Sequence, residues 1–280
     1  MDLRKFLRGD IDTASRVLDY QPFILSDDIE TGAAYSWLRG SDPRTEPALV
    51  LRRKEMDPAD WRIAVDTNAR LRAMYEDILD EIAVRFPGQT LLDVACNNGY
   101  FPVGAEIRGM RATGIDLGNY GPAVQLLNDA LGTQARFIHA SYNSRTHELP
   151  DIGQFDVTVM SAIMCHLPDP LYFLAAVGKA TKRALIFWGQ LVETERLLIS
   201  YQPPHPNLSS LPDFPHSFND NTRISAGMFK EATRQMGFRD VIEIKPKPTW
   251  LTQLVVPRGI PLESELGTEG SRHVALIAVR

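Results

Sequence analysis

Apolar positions follow two rhythms along this chain. Leu71, Met74, Tyr75, Ile78, Leu79, Ile82 and Phe86 recur in steps of three and four, the spacing of one helix face. Upstream, "MDPADW" supplies a start signal: Asp57 can cap, Pro58 fits the first helical position, and Asp60 favours the positive end. "PG" at 87 and 88 ends the helix. The 56 residues before it show no comparable rhythm, with turn signals at "RGSDPR" (39–44).

Beyond residue 88 short apolar runs alternate with helical stretches. "TLLDVA" (90–95), "RATGID" (111–116), "ARFIHA" (135–140), "FDVTVM" (155–160) and "RALIFW" (183–188) read as strands. "GAEIRGM", "GPAVQLLNDALG" (121–132) and "PLYFLAAVGKAT" (170–181) read as the helices between them. Such alternation implies right-handed βαβ units and a mostly parallel sheet. "SAGMFKEATRQMGF" (225–238) adds a helix, and "DVIEIK" (240–245) and "RHVALIAV" (272–279) add two strands. About 26 residues without helical rhythm join those two, which predicts antiparallel pairing. The segment 201–221, rich in Pro, Ser and Asn, interrupts the pattern. It is too long for a routine connection and reads as either a surface loop or a substrate lid.

Composition narrows the class. The chain has 280 residues, 44% hydrophobic and 23% charged, with a formal net charge of −5; these values suit a soluble globular protein. Without a long basic run, global charge gives no support to nucleic-acid binding. Cys96 and Cys165 form neither a disulfide framework nor a zinc-ribbon spacing, so no metal site is expected. Reduced thiols, the absence of an apolar leader and the absence of a membrane-length apolar run predict a cytoplasmic protein.

Open α/β sheets bind ligands beyond the carboxyl ends of their strands. The first strand of the alternation ends in "DVACNNG": Asp93 lies in it and Gly99 opens a helix. Asp116 in "GIDLG" ends the next strand, 23 residues after Asp93, where a carboxylate can accept bonds from both ribose hydroxyls. A pyrophosphate-binding turn needs G-x-G-x-x-G, but only Gly99 is glycine here, and no P-loop is present. The pattern therefore favours a nucleoside without phosphates.

"LLDVACNNGYF" followed by "GIDLG" resembles the motifs of class I S-adenosylmethionine-dependent methyltransferases. The usual family turn is acidic-x-Gly-x-Gly-x-Gly. This chain keeps Asp93 and Gly99 and carries Ala95 and Asn97 in place of the first two glycines. Cys96, Asn97, Gly99 and Tyr100 fit a subgroup that reads D-x-G-C-N-x-G-[YF]. "MSAIMCHLPDPLYFL" (160–174) resembles that subgroup's later motif, with Cys165 at the family's Tyr. The subgroup includes tRNA wobble-uridine carboxymethyltransferases, which use a carboxylated cofactor, and small-molecule relatives.

The resemblance implies a Rossmann-like seven-stranded, mostly parallel sheet with an antiparallel last strand, plus an N-terminal helical cap. Residues 1–87 are then the cap, and 88–280 the methyltransferase domain with its substrate loop at 201–221. The cofactor implied is S-adenosyl-L-methionine, held by Asp93, Ala95, Cys96, Asn97, Gly99 and Asp116. Leu117 is expected against adenine, with Ser141 or Tyr142 where the family often has an acid. His166, His205 and His216 are the candidate bases, and Glu193 a further one. The expected reaction is methyl transfer to O or N of a small-molecule acceptor. The alternatives are a tRNA-modifying (carboxy)methyltransferase and a non-catalytic nucleoside-binding module.

Overall fold

A computed structural model describes residues 1–7, 9–38, 49–201, 222–251 and 271–280. In chain order its elements are α1 (Ile11–Val17), β1 (Ile24–Ser26), β2 (Ile29–Thr31), α2 (Ala34–Leu38), β3 (Val50–Arg52), α3 (Pro58–Arg85), β4 (Thr90–Val94), α4 (Tyr100–Ile107), β5 (Arg111–Asp116), α5 (Gly121–Leu131), β6 (Arg136–His139) and β7 (Phe155–Ser161). A 3-10 turn (Met164–His166) precedes α6 (Pro170–Ala180), β8 (Thr181–Val192), β9 (Ile199–Tyr201), β10 (Thr222–Ile224), α7 (Ala226–Gln235), β11 (Asp240–Glu243) and β12 (Ser271–Val279).

Seven strands form one sheet in the order β11-β12-β8-β7-β4-β5-β6. β4 runs parallel to β7, β7 to β8, and β5 to β6. β12 is antiparallel to both of its neighbours. This is the Rossmann-like sheet the strand–helix alternation predicts, with the expected antiparallel pair at one end. β8 outruns its predicted length because β12 pairs with it from Ala184 to Val192. The central runs bury their side chains almost continuously, as strands covered on both faces do: Leu91, Leu92, Val157, Val159, Leu185 and Ile186 are inaccessible to solvent.

By packing, the chain divides into two compact units. The first comprises residues 1–89, 96–139 and 246–259, the second residues 90–95, 140–245 and 260–280. In the first, α3 starts as its sequence predicts: the Asp57 side chain accepts the Ala59 N–H at 2.7 Å, and Pro58 opens the helix. Its buried face carries Leu71, Met74, Tyr75, Ile78, Leu79 and Ile82.

The N-terminal stretch is more regular than its sequence suggests. β1, β2 and β3 make a small antiparallel sheet. Each strand has only three residues, too few for alternation to show against the surrounding polar positions. In the second unit, β9 and β10 pair antiparallel, joining Tyr201 to Thr222. The substrate loop between them, with His205 and His216, lies outside the described residues, as does the 39–44 turn. Among the described residues no helix is long and apolar enough to cross a membrane.

Candidate functional site

The turn after β4 takes its shape from backbone rather than from glycine. Ala95 and Asn97 both hold positive φ, 67° and 49°, in the left-handed region that favours glycine. The two positions where the family carries glycine thus keep a glycine-like backbone. Asn tolerates this region through its short polar side chain, whereas alanine there costs roughly 1 kcal/mol. Ala95→Gly relieves that strain against a smaller entropic loss in the unfolded chain. We expect a gain of about 0.5 kcal/mol, read as a melting temperature about 1–2 °C higher. A lower melting temperature counts against a strained Ala95.

In the first unit, Asp116 closes the turn. Its Oδ2 accepts the Asn97 N–H and its Oδ1 the Gly118 N–H, both at 2.8 Å. Burial pushes its pKa up, opposed by these backbone N–H groups and by His139. Cys96 donates its N–H to Ile115 O at 3.0 Å, and its side chain is buried against Gly114. A Cβ at Gly114 would stand 2.5 Å from Cys96 Sγ, so this thiol has a packing role. Gly99 is the N-cap of α4 at φ 90°. A Cβ there would meet Val124 at 2.6 Å, which requires glycine on both conformational and steric grounds. Leu117, next to Asp116, leaves 74% of its surface in solvent. His139 Nε2 hydrogen-bonds Leu117 O at 2.8 Å and fixes the backbone there.

Sequence reading missed what surrounds this turn. Asn98 is fully buried. Its Oδ1 accepts the N–H groups of Tyr20 and Gln21 at 2.9 and 3.0 Å, and its Nδ2 donates to Val17 O at 3.0 Å. Gln21 Oε1 in turn accepts the Tyr100 N–H at 2.9 Å. The segment 17–21 is thereby tied to the turn. Asp19 in that segment is half-buried, and burial raises its pKa. Tyr120, whose hydroxyl accepts a bond from Asn97 Nδ2 at 3.4 Å, is pushed up to about 12 by burial, then by Asp116, Asp19 and Cys96. Asp19, Asn97, Asp116 and Tyr120 therefore share one neighbourhood. The subgroup motif places a variable residue at Asn98, so no motif could have pointed to it. Asp19 carries no local signal at all.

In the second unit, Asp93 is buried in β4, in register with Val159. Ser141 is exposed. Tyr142 turns to its own partners: its hydroxyl donates to Asp169 Oδ2 at 2.7 Å and stands 3.1 Å from His147 Nδ1. His147 Nδ1 lies 3.0 Å from the same Asp169 oxygen, and its ring stacks on Tyr172 at 4.0 Å. Burial, then Asp169, pushes the Tyr142 hydroxyl up in pKa. This cluster fastens the loop after β6 to the start of α6. His166 is exposed on the 3-10 turn after β7, next to half-buried Cys165. Among the described residues no His, Cys, Asp and Glu side chains gather to hold a metal ion.

His273 in β12 lies opposite Gln190 in register and stacks on Trp188. Burial, then the charge of Arg223, lowers its pKa to about 4. The unfolded chain binds a proton at His273 below about pH 6.5, whereas the folded chain holds it neutral down to about pH 4. Stability is therefore complete above pH 6.5 and is lost as pH falls from 6.5 to 4. After discounting residual exposure, the loss is about 2 kcal/mol. We expect His273→Gln to flatten this part of a urea-denaturation pH series; an unchanged slope would refute the assignment.

The sheet order, the strand-end acid and the turn define the class of protein. The family profile described as "Methyltransferase domain" matches residues 67–242, more than half of the chain, and the chain belongs to that family, with the class I S-adenosylmethionine-dependent methyltransferase fold. Among curated relatives, it is 31% identical over 100 residues to the ubiquinone biosynthesis O-methyltransferase of Pseudomonas putida. It is 32% identical over 96 residues to the enzyme of that name from Pseudomonas paraeruginosa. These matches cover 35% and 34% of this chain but 42% and 40% of those proteins, so the chain spans about two-fifths of the length of the curated relatives it matches. The N-terminal domain of EvdMO1 with SAH bound aligns with a TM-score of 0.51 at 12% identity, covering 73% of this chain and 80% of that one. An O-methyltransferase family protein from Burkholderia thailandensis aligns at 0.50 and 16% identity, covering 81% and 62%. At these identities the two structures share the fold alone.

Proposed function

We propose that this chain transfers a methyl group from S-adenosylmethionine to an oxygen or nitrogen of a small-molecule acceptor. The observation that carries this reading is the Asp116 carboxylate at the end of β5, with the 74%-exposed Leu117 beside it. A strand-end carboxylate suits a ribose diol. An uncovered apolar side chain next to it suits the flat face of a base. Each Asp116 oxygen accepts one backbone N–H and keeps a further lone pair for a hydroxyl.

The residues present fit the cofactor. Asp116 and Leu117 would take its nucleoside; Asn97 and Gly99 would line the turn. Asp19 adds negative charge beside Tyr120 for the ammonium of the zwitterionic amino-acid end. When bound, the cofactor supplies an electrophilic methyl on a sulfonium, whose positive charge is lost as the methyl leaves. The protein's part is then orientation and exclusion of water from the nucleophile. An oxygen acceptor also sheds a proton, and His166, exposed after β7, is the described histidine we assign to receive it. We take residues 1–87 as a cap, a reading supported by the bonds from Asn98 to the segment 17–21, and residues 88–280 as the methyltransferase domain. The named O-methyltransferase relatives support a small-molecule acceptor.

Isothermal titration with S-adenosylmethionine and S-adenosylhomocysteine tests this reading. Saturable one-to-one binding of both is expected; binding of neither overturns it.

A further inference from the structure

Arg223 stands on β10 beside two strand ends that point the same way. The 3-10 turn follows the carboxyl end of β7, and Gln190 lies two residues short of the end of β8, which runs parallel to β7. The guanidinium is held rather than free: Nε donates to Gln190 Oε1 at 2.7 Å. Its Nη1 is buried and has no hydrogen-bond partner among the described residues. No carboxylate among them pairs with it either. The group that bears on its charge is the Cys165 thiol, and burial, the larger effect, works against the cation. His273, across the ladder from Gln190, stays neutral beside it.

A buried guanidinium without a counter-charge is costly to maintain. The rest of the protein answers such costs: Arg72 meets Glu30 at 2.7 Å, and Arg108 meets Glu76 and Asp80, both at 2.7 Å. Arg223 instead meets a neutral amide that fixes one side of its fork and leaves the buried Nη1 N–H unpaired. Arginine's planar fork matches two oxygens of an oxyanion. Ligands of this fold class bind beyond the carboxyl ends of the strands, which is where Arg223 stands.

Building on the methyltransferase reading above, we propose that Arg223, steadied by Gln190, recognises an oxyanion on the methyl acceptor, so that the substrates are carboxylate- or phosphate-bearing small molecules. Arg223 sets specificity and takes no part in the chemical step. The acceptor's anion supplies the missing counter-charge and completes the Nη1 hydrogen bonding. Neutral analogues leave that N–H buried and unpaired, and discrimination follows from the penalty.

The test uses the full chain saturated with S-adenosylhomocysteine and three probes of one shape: benzoate, phenyl phosphate and benzamide. Calorimetry and melting curves are followed for wild type, Arg223→Gln and Arg223→Lys. Wild type is expected to bind one or both anions and to favour them over benzamide by about 10-fold or more, the range of a charge-assisted bond. Benzoate alone marks a carboxylate acceptor, phenyl phosphate alone a phosphorylated one. Arg223→Gln abolishes the preference, and Arg223→Lys, which keeps charge but loses the fork, retains part of it. Affinity for S-adenosylhomocysteine stays within about twofold in both variants. The proposal is overturned if wild type binds neither anion, if Arg223→Gln keeps the preference or Arg223→Lys keeps it undiminished, or if cofactor affinity falls with Arg223→Gln, which would place the anion on the cofactor. Loss of S-adenosylhomocysteine binding in wild type itself would instead strike the methyltransferase reading. Should Arg223→Gln fail to fold, Arg223→Lys and the wild-type preference still decide.

Discussion

Asp116→Ala lowers affinity for S-adenosylmethionine by about 100-fold or more. The carboxylate holds the Asn97 and Gly118 N–H groups at 2.8 Å and, in the proposed function, both ribose hydroxyls as well. Charged hydrogen bonds contribute about 1.5–3 kcal/mol each, so losing one net contact to the nucleoside already approaches two orders of magnitude. Collapse of the turn adds to this, because Asn97 is held at positive φ beside that carboxylate. Asp116→Asn separates shape from charge. Its NH2 stands where one of the two backbone donors points, so it too is expected to bind at least about 10-fold more weakly. Burial raises the Asp116 pKa, and the hydroxyl-accepting form is the carboxylate. Affinity in the wild type therefore starts to fall, on acidification, at a higher pH than an ordinary aspartate would allow. Calorimetry across pH on wild type and both variants checks all three expectations. Affinity for Asp116→Ala within threefold of wild type, with an unchanged circular dichroism spectrum, would remove Asp116 from the site.

Much of this was legible in the chain, and the reasons differ from feature to feature. The helix at 58–85 announces itself through Asp57, Pro58 and a 3.6-residue rhythm, all local signals, and the structure uses each of them. The central strands of the large sheet were legible because buried parallel strands are continuous apolar runs between turn residues. Asp116 could be placed because the ends of successive strands lie at a predictable chain separation. Ala95 and Asn97 looked like departures from a glycine turn, yet their backbone keeps the conformation glycine would take; residue type hid what φ reveals. The small N-terminal sheet was lost because three residues per strand carry no readable period. Arg223 belongs to no motif in the sequence. Among the described residues no carboxylate pairs with it once β10 is set against β8, and no local pattern encodes such an absence.

Asn98→Ala is expected to destabilise the protein by about 4 kcal/mol, because one side chain here serves several buried groups. It is inaccessible to solvent and bonds three backbone groups at once: the Tyr20 and Gln21 N–H and the Val17 carbonyl. These lie 77 to 81 residues away in sequence, so the bonds staple a distant segment rather than a local turn. Alanine strips Asn98's bonds from all three groups, at about 1–3 kcal/mol each where water cannot replace it. A fall of roughly 10 °C in melting temperature follows for a chain of this size. Asn98→Asp keeps the acceptor for the two N–H groups but buries a carboxylate against the Val17 carbonyl and beside Asp19, so it should destabilise at least as much as alanine, by about 4 kcal/mol or more. In the proposed function Asp19, which rides on the stapled segment, lies beside the cofactor, so S-adenosylmethionine affinity should drop in the folded fraction too. Hydrogen exchange distinguishes this from general loosening. Protection at the Tyr20 and Gln21 amides should collapse in Asn98→Ala while the α3 amides, held by their own buried face, keep theirs. Equal loss in both places, or none at Tyr20 and Gln21, would show that the staple does not hold the segment.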